Sequence, residues 1–212
     1  MTSRAPRRDA VENRLGILSA ARAALSIDPH ASIDTIARSA GLSRRTLYGH
    51  FGDREALIRE LIAHGAQRFN AIAVAVSDSD ARIALAHLAS RLWQEASHVQ
   101  VVAALALDET HVDHTGEALA PLRRTVADLT RRGQEEGAFR PDIPAPALAR
   151  LIEEMARGVV TGTDAAAPGA ADVAVRAVLS IAGLSWQEAD ELLGAHPEIL
   201  DPAMTPASEA RV

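Results

Sequence analysis

The stretch "GLSRRTLYGHF", residues 41–51, sets two arginines, two hydroxyls, a phenol and an imidazole within eight positions. Arg44 and Arg45 follow Ser43, and Thr46, Tyr48 and His50 complete the set. An arginine fork can grip the O6 and N7 atoms of guanine in a DNA major groove. Arg44 and Arg45 are therefore the candidates for reading base edges, and spacing alone does not say which of them does so. Thr46 offers a methyl to thymine or a hydroxyl to phosphate, and Tyr48 and His50 can donate to phosphate oxygens. Ser43, as a helix N-cap, leaves exposed amides that favour an anion. Ser32 and Thr35 repeat that arrangement at the start of a preceding short helix, and Arg54 can hold a nucleic-acid backbone beyond.

A second polar cluster, "DETHVDHTGE" at 108–117, brings together Asp108, Glu109, His111, Asp113 and His114. Imidazole and carboxylate are suitable ligands for a divalent metal, which would permit metal-assisted hydrolysis. The stretch has the composition of a polar loop, and no ligand pair elsewhere supports it. The sequence has no Gly-rich phosphate loop, no nucleophile elbow and no HExxH helix. The expectation is no enzyme, no metal and no cofactor.

The elements that must position the first cluster are helical. Val11, Leu15, Leu18, Ala21 and Leu25 recur at spacings of three and four, the period of an amphipathic helix. Ser32 opens a short helix with Ile33, Ile36, Ala37 and Ala40 on one face, and Gly41 supplies a tight turn. Leu42 plugs the space between that helix and the next, which starts at Ser43 with Leu47 and Phe51 as its rear face. Asp53 caps a longer helix to about residue 75. Two short helices about a glycine turn form a helix-turn-helix unit over about 32–51. Helical stripes then run over 81–106, 119–137, 146–162 and 171–193, with no strand alternation. Residues 1–9 read as a flexible basic arm whose Arg4, Arg7 and Arg8 suit a minor groove. Residues 195–212 read as a loose tail.

Charge divides the chain the same way. Residues 1–68 carry net +4 and residues 69–212 carry net −10. A basic head on an acidic body implies an anionic partner for the head. All 22 basic residues are Arg, and there is no cysteine, so disulfides and thiolate metal sites are excluded. No apolar run approaches the roughly 20 residues of a membrane span. No signal-peptide pattern opens the chain, and a cytoplasmic protein is expected.

The segment "IDTIARSAGLSRRTLYGHFGDREALI", residues 33–58, resembles the DNA-binding region of the TetR family of bacterial transcriptional regulators. The matching positions are Ile36-Ala37, Ala40-Gly41-Leu42-Ser43, Thr46-Leu47-Tyr48, His50-Phe51 and Glu55-Ala56-Leu57. Arg54 stands where the family usually has Lys, and Arg45 where it often has a small residue or Pro. "LTRRGQEEGAFRPDIP", 129–144, is similar to the family's seventh helix and the loop after it. The resemblance implies an all-α fold of about nine helices. A helix-turn-helix head over 10–68 precedes a ligand-binding and dimerisation body over 69–194. It also implies a homodimer through helices at about 146–162 and 171–193, a palindromic double-stranded DNA operator, and a small-molecule effector that releases a repressor. Leu92, Trp93, His98 and Phe139 are the candidate pocket residues. The alternatives are a regulator gated by a protein partner or by nothing and, remotely, a metal-dependent hydrolase using residues 108–114.

Overall fold

The computed structural model describes residues 5–97, 105–106, 108, 110–164 and 166–201, with side chains from Arg14 onward. Among the described residues there are ten α-helices, one 3-10 turn and no strand, the all-α architecture expected. The helices are α1 (Ala5–Ile27), α2 (Ile33–Ser39), α3 (Arg44–His50), α4 (Arg54–Ala75) and α5 (Ala81–Ser97). There follow α6 (Val112–Ala118), α7 (Ala120–Glu135), α8 (Ala145–Gly162), α9 (Ala170–Ala182) and α10 (Trp186–Ala195), and then a 3-10 turn (Pro197–Ile199).

The chain forms two compact units, Met1–Arg68 with Val99–Leu119, and Phe69–His98 with Ala120–Val212. The first unit is built on Ile17, Leu18, Ala21 and Leu25 of α1, Ile33 and Ile36 of α2, Leu47 of α3, and Leu57, Ile58, Leu61 and Ile62 of α4. These are the three-and-four spacings of one buried face per helix. Phe51 and Ala106 close the cluster. The second unit packs Leu85 and Leu88 of α5, Val126 and Leu129 of α7, Leu148 and Ile152 of α8, and Val175, Val178 and Leu179 of α9. Ala81, Ala84, Ala86 and Ala182 let its helix axes approach closely.

The structure corrects four of the expectations. First, helix α1 begins at Ala5, so the expected arm is helical from there. Pro6 lies in its first turn, where a missing N–H removes no helical hydrogen bond. Arg4 and the side chains of Arg7 and Arg8 lie outside the described residues. Second, the polar stretch 108–117 contains α6, with His111 and Thr115 buried. Thr115 donates its hydroxyl to the Ala106 carbonyl, which turns a polar residue inward at no loss of hydrogen bonding.

Third, the stripe 171–193 is two helices. Gly183 takes φ +111, and a Cβ there would stand 2.7 Å from Cβ of Arg140. Ser185 then restarts the chain as α10 with a capping box: Glu188 N donates to Ser185 Oγ, and Ser185 N donates to Glu188 Oε2 at 2.8 Å. Fourth, the start of the expected tail is structured, with a 3-10 turn at Pro197–Ile199. Ile199 is buried, and its carbonyl accepts from the Ser90 hydroxyl of α5. Residues 202–212 lie outside the described residues.

Candidate nucleic-acid interface

Helices α2 and α3 start alike. Ser32 Oγ accepts from Thr35 N at 3.2 Å, and Ser43 Oγ accepts from Thr46 N at 3.1 Å. Each serine holds extended backbone angles, so its oxygen satisfies an amide that the helix cannot. The hydroxyls pair as well, at 3.1 Å for Ser32 with Thr35 and 2.8 Å for Ser43 with Thr46. Both threonines thus support a cap, beyond any contact they make outward. Between the helices Gly41 adopts φ +67, and Leu42 N reaches back to the Ala37 carbonyl at 2.9 Å. Leu42 packs half-buried on the core of the first unit. Asp53 caps α4 through Ala56 N, as its position predicts.

Leu47 and Phe51 are buried and face the core, which turns the rest of α3 outward. Arg44, Arg45, Thr46, Tyr48 and Gly49 are all exposed. The Arg44 Nε lies 3.0 Å from Asp34 Oδ1 on α2, and its guanidinium lies 5.5 Å from the Tyr48 ring centroid. Tyr48 and Asp34 together hold Arg44 more firmly charged than an isolated arginine. The His50 ring is half-buried, 6.4 Å from that of Phe51. Arg54 donates through Nε to the Ala31 carbonyl at 3.0 Å and through Nη2 to the Pro29 carbonyl at 2.7 Å. Its charge therefore pins the turn between α1 and α2.

Two further constellations tie distant parts of this unit together, the first around Arg14 and the second around His111 of the polar cluster. Arg14 of α1 pairs with Glu60 of α4, donates through Nη1 to the His50 carbonyl at 3.1 Å, and lies 4.5 Å above the Phe51 ring. The hydrogen bond from Arg14 to Glu60 raises the arginine's affinity for its proton against the opposing effect of burial. His111 is nearly enclosed, with Nδ1 2.7 Å from Asp108 Oδ1 and Nε2 3.0 Å from Glu55 Oε1. Asp108 Oδ1 also accepts from the amides of Thr110 and His111. His114 lies apart, with Nε2 3.2 Å from the Arg59 carbonyl. These contacts join 108–114 to α4. Among the described residues no group of three His, Cys, Asp or Glu is arranged to hold an ion. The Asp108–His111 pair lies within the polar cluster read from the sequence, whereas Glu55 and, for Arg14, Glu60 and Phe51 are remote along the chain and leave no local pattern.

In the second unit, Trp93 is buried against Ala170 and Ala174, and Leu92 packs half-buried on the main core. Phe139 is buried on Gly133, where a Cβ would stand 2.2 Å from the ring. Phe139 thus fills the end of α7. His98 lies outside the described residues. An open depression of about 460 Å³ is lined by Ser79, Asp80, Arg82, Glu136, Gly137 and Ala138, and so by none of these residues.

A capped two-helix unit with a cationic outward face, on a chain otherwise made of packed helices, defines a helix-turn-helix protein with a helical body. Residues 17–61 match the family described as bacterial regulatory proteins, tetR family. Solved structures of the same fold include the TetR family transcriptional regulator PfmR from Thermus thermophilus. It is 21% identical, with a TM-score of 0.67 over 80% of this chain and 98% of that one. The fatty acid degradation regulator FadR from Bacillus halodurans is 19% identical, with a TM-score of 0.68 over 81% and 96%. FadR from Bacillus subtilis, solved with stearoyl-CoA, is 14% identical, with a TM-score of 0.67 over 80% and 97%. No curated protein matches the chain. The resemblance to the TetR family therefore holds: residues 17–61 match the family's model, and the chain has the fold of solved TetR-family regulators.

Proposed function

We propose that the chain is a homodimeric transcriptional regulator, a repressor that leaves a palindromic operator when a small molecule binds its helical body. The single observation that carries the reading is α3: capped at Ser43, buried along Leu47, and cationic on its exposed side. Ser32, Thr35, Ser43, Thr46, Tyr48, His50 and Arg54 are assigned to contacts with the DNA backbone, and the Arg44–Arg45 pair supplies the arginine that reads base edges. A helix of seven residues reads only a few base pairs. Two copies related by a two-fold axis read two half-sites, about 34 Å apart or one further turn on. Leu151 of α8, Val173 of α9 and Trp186 of α10 are large apolar side chains left exposed, and we assign them to the contact between copies. Its site of action is the cytoplasm, where the operator lies. Among the described residues no helix is long and apolar enough to cross a membrane.

Ligand response is a shift between two states of the dimer. A ligand must bind one state about 10⁴-fold better than the other to reverse a 99:1 population. The presence of stearoyl-CoA in the Bacillus subtilis FadR supports an effector for this fold.

Selection of bound duplexes from random DNA tests the reading. A palindromic consensus is the expected result, with affinity that falls steeply as salt rises. Replacing both Arg44 and Arg45 by Ala should abolish that binding and leave melting unchanged. Unaltered affinity in the double variant would place the interface elsewhere. Binding that no small molecule releases would favour gating by a protein partner.

A further inference from the structure

We infer that Arg45 is the residue that reads base edges, with guanine as its target, and that Arg44 is a positioning residue held in place by Asp34 and Tyr48. The inference rests on α3 being the recognition helix and divides labour within it.

Helix geometry separates the two arginines. At 3.6 residues per turn, each residue advances about 100°. Leu47 is wholly buried and marks the rear of α3. Arg45, two residues earlier, lies about 200° away, on the side opposite the core. Arg44, three residues earlier, lies only about 60° away, on the flank where it meets Asp34 of α2.

Their partners differ as sharply. Asp34 Oδ1 is a buried oxygen with no hydrogen-bond partner, so the Arg44 guanidinium 3.0 Å away is the charge that compensates it. Both side chains are partly open to solvent, 66% for Arg44 and 45% for Asp34, so the pair draws Arg44 toward α2 and away from the outward strip without locking it there. Arg45 makes no hydrogen bond, ion pair or ring contact among the described residues, and its side chain is exposed. All five of its N–H donors remain available for a planar two-pronged contact.

Gly49 supplies the second observation. It lies one turn after Arg45 on the same outward strip, inside α3. A Cβ there would meet nothing within 4 Å, and its backbone is not left-handed. Neither crowding nor backbone geometry calls for glycine, and alanine would strengthen the helix. What the bare position provides is room for base-pair edges to approach the helix beside Arg45.

The test is duplex selection and titration with single variants, each checked for unchanged melting. The wild-type consensus should hold a guanine at one symmetric position in each half-site. Arg45→Ala should erase the preference at that position alone and weaken binding about tenfold to a hundredfold. Arg45→Lys should relax the same position while keeping the salt dependence. Arg44→Ala should leave the consensus intact and weaken all sequences evenly. Gly49→Leu should block binding, whereas Gly49→Ala should be tolerated. A base preference lost in Arg44→Ala and kept in Arg45→Ala would overturn the assignment, as would wild-type binding by Gly49→Leu. If the wild-type protein itself selects no consensus, the recognition-helix reading fails and this assignment with it, a result that variants of a binding protein cannot mimic.

Discussion

The Arg14 guanidinium meets three things in the first unit: the Glu60 carboxylate of α4, the last carbonyl of α3 and the Phe51 ring. Its position on α1 is otherwise ordinary, an arginine on the polar side of an amphipathic helix. Both partners of the pair are partly open to solvent, which discounts the ion pair itself. The carbonyl bond and the ring contact add to it. Arg14→Ala should lower stability by about 1–2 kcal/mol in urea titration. The Glu60→Ala change should then add little in the double variant, and full additivity would show that the two do not act together.

His87 makes a residue-scale prediction about pH. Burial of its imidazole on α5 holds it below the ordinary histidine range, and Arg91 and His196 push the same way against Glu198 and Asp78. The unfolded chain therefore takes up this proton at higher pH than the folded one. The neutral ring's contribution is fully present above about pH 6.5 and is lost as pH falls from there through the depressed folded value. Melting temperature should drop between about pH 7.5 and pH 5.5, and His87→Gln should flatten the drop. An unchanged slope in that variant would assign the pH dependence to other groups.

At the scale of elements, apolar periodicity is legible and its interruptions are less so. The stripes of α7 and α8 are plain in the sequence because each helix buries one face, and in α1 Leu18, Ala21 and Leu25 are buried as expected, whereas Leu15 is exposed and Ile17 takes the inward place. The serine caps of α2 and α3 are legible for the same local reason, since the capping oxygen lies three residues from its amide. The break between α9 and α10 is different. The run Val178, Ile181, Ala182, Leu184 carries the eye across Gly183, although "SWQE" at 185–188 spells a capping box directly after it. α6 is hidden because its segment reads as polar throughout, while His111 is buried against Glu55 of α4 and Thr115 is turned inward by its hydroxyl bond to the Ala106 carbonyl. Within the interface, the exposed cations were legible and the role of Asp34 was not, because the buried oxygen appears only when α2 meets α3.

The capping box at α10 makes an element-scale prediction. Both Ser185 N and Ser185 Oγ donate to Glu188 Oε2, at 2.8 and 2.7 Å, and these bonds hold the Glu188 carboxyl below its usual range. Ser185→Ala removes the oxygen that receives Glu188 N and should cost about 1 kcal/mol. Ser185→Asp should restore most of the loss. Equal destabilisation by both changes would mean that Gly183 alone sets the break.

At the scale of the whole molecule, the proposed dimer rests on apolar side chains that the body leaves exposed. Leu151 is 43% exposed, Val173 53% and Trp186 74%, while their helix neighbours Leu148, Ala174 and Ala189 are buried. Each helix thus has its inward face satisfied and carries a further apolar residue outward, where exposed apolar surface favours contact with a partner. The double change Leu151→Glu with Val173→Glu sets carboxylates on the outward sides of α8 and α9 without touching the core. Sedimentation should show a dimer for the wild-type protein and a monomer for the variant, with helical content unchanged. Operator affinity should then fall on the order of 10²–10⁴-fold, since two half-sites on one duplex no longer act as a linked pair. A variant that stays dimeric would move the contact to another face. A monomer that binds the consensus as tightly as the dimer would overturn the palindromic reading, because one α3 would then suffice for the whole site.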